Sequence, residues 1–169
     1  MHLRRTLALT IAAVLLLSVT GCVKQFATDR PYTQAAGTNN LDAEVDVLNA
    51  VIVATEDGAG TFIATLANNS ATEPATFETL EGIDQAQLTA TEFAPMEIAP
   101  LGALNLATDG GVEVTGEFAL GNFVPVSVQF GNGEQVEMDV PVVPNCGDFA
   151  GLDGPSDEEA CAATESEAH

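Results

Sequence analysis

The chain contains no tryptophan and a single tyrosine. A sugar-binding platform is built by stacking on such rings, and this chain has almost none to offer. Its two histidines are His2 and His169, so no imidazole lies between them. A Ser-His-Asp triad is thereby excluded, and a Ser-Lys dyad also fails because no lysine follows Lys24. Paired carboxylates can act as acid and base. With 25 acids such pairs arise by chance, and an acid-rich hydrolase is the weakest of the readings considered. Zinc chemistry lacks its ligands, since neither a Cys-x-x-Cys pair nor clustered histidine occurs. Lysine and arginine together number four, and from Pro31 to the end there is neither. Nucleic-acid partners are therefore excluded, because a surface of one negative sign repels a phosphate backbone.

What the chain does have begins with an apolar leader. Arg4 and Arg5 precede a nearly unbroken apolar run, Leu7 to Val19 (LALTIAAVLLLSV), which ends on Val19-Thr20-Gly21-Cys22. The run is of signal-peptide length and falls short of the roughly 20 residues that a spanning helix needs. The close resembles the lipobox of bacterial lipoproteins, an aliphatic residue and two small ones before a cysteine. That resemblance implies a diacylglyceryl thioether on Cys22, cleavage before it and acylation, for example by palmitate, of the new N-terminus. Two chains or more hold a protein on a bilayer where one does so only marginally. An ordinary secretory leader with a coincidental cysteine and an uncleaved anchor are the alternatives. Arg4-Arg5 also matches part of a twin-arginine export signal.

Cleavage would leave 148 residues, Cys22 to His169, enough for one domain with a core. Lys24 and Arg30 then oppose all 25 acids, a net charge of −23. Stability is expected to rise with salt, since screening at about 0.15 M already acts within roughly 8 Å. Solubility in salty or acidic surroundings explains such a surface, and so does binding to cations or basic proteins. Cys146 and Cys161 remain for a disulfide, which an extracytoplasmic setting allows. Closing a loop of about 15 residues is worth roughly 3 kcal/mol in the chain-entropy view. Free thiols and a bond between chains are the alternatives.

Residues 23–40 (VKQFATDRPYTQAAGTNN) read as a flexible tether. From Leu41 the signals are those of strands. Phe62, Ala64 and Leu66 share one face of TFIATLANNS. Val124, Val126, Val128 and Phe130 alternate with Pro125, Ser127 and Gln129. After Gly131-Asn132-Gly133, Val136, Met138, Val140 and Val142 alternate with Glu137, Asp139 and Pro141. Period two on both sides of a glycine turn predicts a hairpin with one buried face. Short strands separated by turns argue for an all-β sandwich or barrel. The one helix signal is in the tail, where Ser156 precedes Glu159 in capping-box spacing. Calcium is the cation best suited to such acids. The acidic glycine turns TEDGAG and DFAGLDGPSDEE lack EF-hand spacing and read as solvated turns.

The stretch APLGALNLATDGGVEVTGEFALGNFVPVSVQFGNGEQVEMDVPV resembles the C-terminal half of the PCu(A)C-type periplasmic copper chaperones. GTFIATLANNS resembles their early strand. The resemblance spans residues 41–143 and implies an antiparallel, cupredoxin-like β-sandwich; a Cys146–Cys161 bond would pin the short C-terminal segment to the end of the last strand. It also implies an envelope location. The chaperones bind copper through His and Met, including a His-x-Met after a Gly-Gly turn. Here Gly110-Gly111 is followed by Glu113 and Thr115, about where those ligands would stand. An upstream His-Met pair is absent from GIDQAQLTATEF. Met96 falls a little late to match, and Met138 alternates with core valines, so both are weak candidates. A branch of envelope lipoproteins, the LpqE type, shares this framework, and the chain resembles it.

The division expected is thus a leader at 1–21, lipidated Cys22 and tether at 22–40, a β-sandwich at 41–144 and an acidic tail at 145–169. No enzyme activity and no cofactor are expected, copper being the one metal that the resemblance raises. The expected setting is the extracytoplasmic face of a bacterial cell membrane, reached through the lipid, with envelope proteins as partners. Substituting Cys22→Ser should leave the precursor unprocessed or release the protein from the detergent phase on Triton X-114 partitioning. A variant that still matures and partitions with detergent would contradict the lipid assignment.

Overall fold

The computed structural model describes residues 36–84, 86–156 and 161. The leader, Cys22 and most of the tether lie outside them, as does the expected tail helix apart from Cys161. The described residues form ten strands: β1 (Thr38–Asn40), β2 (Val45–Glu56), β3 (Ala59–Asn68), β4 (Ala75–Gly82), β5 (Leu88–Ala90), β6 (Met96–Ile98), β7 (Ala103–Asn105), β8 (Val112–Gly116), β9 (Phe123–Phe130) and β10 (Gln135–Pro144). β1 lies within the stretch that the sequence assigns to the tether.

The strands close on themselves in the order β2–β10–β9–β4–β5–β8–β3, with β3 pairing back to β2. The all-β cupredoxin-like architecture is therefore a closed one, and closure removes the free edges that an open sheet would expose. β1, β6 and β7 each take the remaining part of an edge of β2, β4 and β3. All pairs are antiparallel except β2 with β10, which run parallel through Val142, Val143 and Pro144.

The predicted hairpin is β9–β10, in register from Gln129↔Gln135 to Phe123↔Pro141. The turn amide of Gly133 donates to Phe130 O (2.9 Å), and Phe130 N–H donates to Glu134 O (2.9 Å). Gly133 has a φ of +86°, the left-handed position that a three-residue hairpin loop assigns to glycine. The alternating apolar residues of both strands, Val124 to Phe130 and Val136 to Val142, are buried as expected. Phe62, Ala64 and Leu66 are buried with them.

β2 breaks its own alternation. Val45 and Val47 face the core, and so do Ala50, Ile52 and Ala54. The register with β3 shifts between Leu48 and Val51. Asn49 sits there at φ 52°, a conformation that asparagine tolerates better than most residues. One extra residue in a strand exchanges inside for outside. Val51 and Val53 consequently face outward with Ile63, yet both are fully buried.

The C-terminal loop covers them. Phe149, Leu152 and Val143 pack on this second cluster. Buried Asn145 holds the loop: its Nδ2 donates to Thr55 Oγ1 (3.2 Å), Asp153 O (3.1 Å) and Gly154 O (3.2 Å), and its Oδ1 accepts from Gly151 N (2.8 Å). The Asp153 carboxylate accepts from Thr55 N (2.8 Å) and Thr61 Oγ1 (2.9 Å). The Cys146–Cys161 disulfide pins the segment beyond, with Cα atoms 5.6 Å apart. Asn145→Ala removes four hydrogen bonds at once and should lower the unfolding free energy by about 3 kcal/mol in urea titration. A loss below about 0.5 kcal/mol would show that the loop does not depend on this side chain.

Candidate metal centre

β8 carries Glu113 and Thr115, the two residues that the sequence resemblance sets at about the ligand positions. The loop before it is folded on Asn105, whose Oδ1 accepts from Ala107 N (3.1 Å) and whose carbonyl accepts from Thr108 N (3.0 Å) and Thr108 Oγ1 (2.9 Å). Gly111 ends that loop at φ +67°, its amide donating to Leu106 O (2.7 Å). A Cβ at Gly111 would stand 2.3 Å from Thr61 Cγ2, so only glycine allows β8 to approach β3 there.

In β8, Val112 and Val114 point into the core and Glu113 and Thr115 are exposed on the outer face. Opposite Glu113 is Thr61, and Thr115 lies between Ala59 on β3 and Thr89 on β5. These neighbours supply neither imidazole nor sulfur. A carboxylate and a hydroxyl are hard ligands, whereas imidazole and thioether are the donors that suit copper.

The two methionines do not complete the set. Met138 is 8% exposed, inside the core, opposite Val126. Met96 is half-buried on the short strand β6, opposite Phe77. Val126 is opposite Gly82. The two sulfurs are thus tied to positions five residues apart on β4, roughly 16 Å along the strand. Among the described residues no group of three or more His, Cys, Asp or Glu could hold a metal ion.

The acidic glycine turns serve the fold. In TEDGAG, Asp57 Oδ1 accepts from Leu120 N (3.0 Å). In DFAGLDGPSDEE, Asp153 is the clamp on Thr55 and Thr61, where the sequence reads a solvated turn. What marks it is its pairing with a threonine 92 positions away, which local spacing does not reveal. Two acid-rimmed clefts also lie on the surface. One, of about 450 Å³, is lined by Glu78, Glu81, Glu92, Leu88 and Phe93. The other, of about 490 Å³, is lined by Asp84, Glu117, Phe118 and the exposed Phe123. The sequence reading singled out neither. Phe93 earns its place by packing on Phe77, with ring centroids 4.8 Å apart.

Comparison with known proteins bears on the fold alone. No family model matches the chain, and no curated protein does. Among solved structures, an apo PCuAC domain of PmoF2 superposes with a TM-score of 0.51 at 10% identity, covering 65% of this chain and 98% of that one. A copper-bound PCuAC domain from PmoF2 gives 0.49 at 13% identity, covering 63% and 98%. An apo PCuAC domain from PmoF1 gives 0.47 at 20% identity, covering 63% and 99%. The first of these places the chain on the same cupredoxin-like framework.

Met138→Ala should cost about 2–5 kcal/mol in urea unfolding, the price of any core methionine, and leave copper affinity unchanged. Met138→Leu should cost under about 1.5 kcal/mol. A fall in copper affinity with unchanged stability would make Met138 a ligand.

Proposed function

We propose that this chain is a non-catalytic, lipid-anchored protein of the bacterial envelope. Its domain keeps the copper-chaperone framework without the copper ligands and serves a binding or structural role. One observation carries the reading: Glu113 and Thr115 occupy the exposed β8 positions after the Gly-Gly turn, with no imidazole or sulfur opposite them. The leader and Cys22 support the anchor by resemblance to the lipobox. The absence of histidine and lysine from residues 31–168 supports the lack of catalysis.

A second reading is a divergent copper chaperone that delivers copper outside the cytoplasmic membrane. The PCuAC-like fold favours it, and half-buried Met96 at the sheet edge is the residue it would use. Competition titration of Cu(I) and Cu(II) against a chelator of known affinity separates the two, with the Cys22→Ser chain as sample. The proposed reading expects no binding above that of a generic acidic surface. Tight one-to-one binding would overturn it, and loss of that binding in Met96→Leu would establish the second.

A further inference from the structure

The outer face of β4, β9 and β10 holds a feature that the copper question leaves untouched. Ser127 lies on that face, between the inward Val126 and Val128, and is 1% exposed. Its hydroxyl has no hydrogen-bond partner. Buried hydroxyls are nearly always bonded, and one without a partner calls for an explanation. The register supplies the neighbours. Glu81 of β4 stands directly opposite Ser127 on one side, and Glu137 of β10 directly opposite on the other. Residues so paired share a face, with Cβ atoms about 5 Å apart. Both glutamates are exposed. In the adjoining row Thr79 is opposite Gln129, and the Thr79 hydroxyl is likewise buried and without a partner.

Two carboxylates therefore flank an orphan hydroxyl, with a second orphan hydroxyl and an amide oxygen one row away. Glu137 Oε1 accepts from Gln135 Nε2 at 3.3 Å. No lysine, arginine or histidine occurs between residues 31 and 168 to neutralise the pair. Like charges on either side of one residue repel unless a cation lies between them.

We propose that this face binds a calcium-class divalent cation, held between Glu81 and Glu137 above the Ser127 hydroxyl. The donors are all oxygen, which suits a hard cation and not copper. Calcium takes about 6–8 oxygens in flexible geometry, so long glutamates reaching in from the two strands that flank β9 can close over it. The Thr79 hydroxyl, the Gln129 carbonyl and water complete the shell.

Calorimetric titration of the Cys22→Ser chain with CaCl2 in 0.15 M NaCl tests the site, the salt suppressing diffuse binding to the acidic surface. One saturable site per chain is expected. Glu81→Gln and Glu137→Gln should each weaken it by about tenfold or more, since carboxylate count sets calcium affinity. Ser127→Ala should weaken it without altering charge. Glu56→Gln and Glu97→Gln remove the same charge from exposed positions on β2 and β6, and should leave the affinity within about twofold. Calcium-induced amide NMR shifts should concentrate at 79–81, 127–129 and 135–137. Absence of a saturable site, equal weakening by site and control variants, or shifts centred elsewhere would each overturn the proposal.

Discussion

Between Pro31 and Ala168 the chain carries no positively charged side chain, so no carboxylate there can find a cation of its own domain. The carboxylates that the fold uses are satisfied by neutral donors instead. Glu134 accepts from the amides of Glu44 (2.7 Å) and Val45 (3.2 Å), which ties the hairpin turn to the start of β2. Asp57 takes the amide of Leu120, and Asp153 takes Thr55 and Thr61. A carboxylate held by N–H groups makes the stronger, charge-assisted kind of hydrogen bond. Such bonds order loops against strands without any ion pair. Most of the other acids among the described residues are exposed, repel one another and draw on solution cations.

A second constraint is geometric. The barrel closes through β2, which pairs with β3 on one edge and shares the other between β1 and β10. The bulge at Asn49 lets one strand face the core along its whole length while following the curvature. Its consequence is an outward apolar patch at Val51 and Val53, and that patch requires a cover. The C-terminal loop, Asn145 and Asp153 provide it. The loop is thereby part of the domain, although its composition reads as an acidic tail.

Much of this was legible in the residues. The β9–β10 hairpin could be read because strict alternation and a glycine turn are local signals, and the buried residues are the ones that alternation selects. The Cys146–Cys161 bond is one of the pairings that their spacing allows, and the one expected if the leader exports the chain. The bulge was hidden because VDVLNAVIVATE is apolar in both phases, so its periodicity does not show where the phase changes. The parallel β2–β10 pair joins strands distant in sequence and has no local mark. Asp153 and Ser127 looked like ordinary polar positions. Their roles depend on what stands opposite them, which register decides and sequence does not display.

Copper chemistry needs nitrogen and sulfur at converging positions. The barrel keeps its described sulfurs apart, in the core, at a sheet edge and in a disulfide. The described residues carry acids and no basic side chain, so their surface attracts cations from solution. The most direct measurement is the unfolding free energy in urea as NaCl rises from about 0.01 to 1 M, over which screening shortens from roughly 30 Å to 3 Å. A domain whose charges are balanced only from outside should gain stability steadily across that range. A flat or falling curve would mean that the folded chain already compensates its own charge, and would contradict the constraint on which the rest depends.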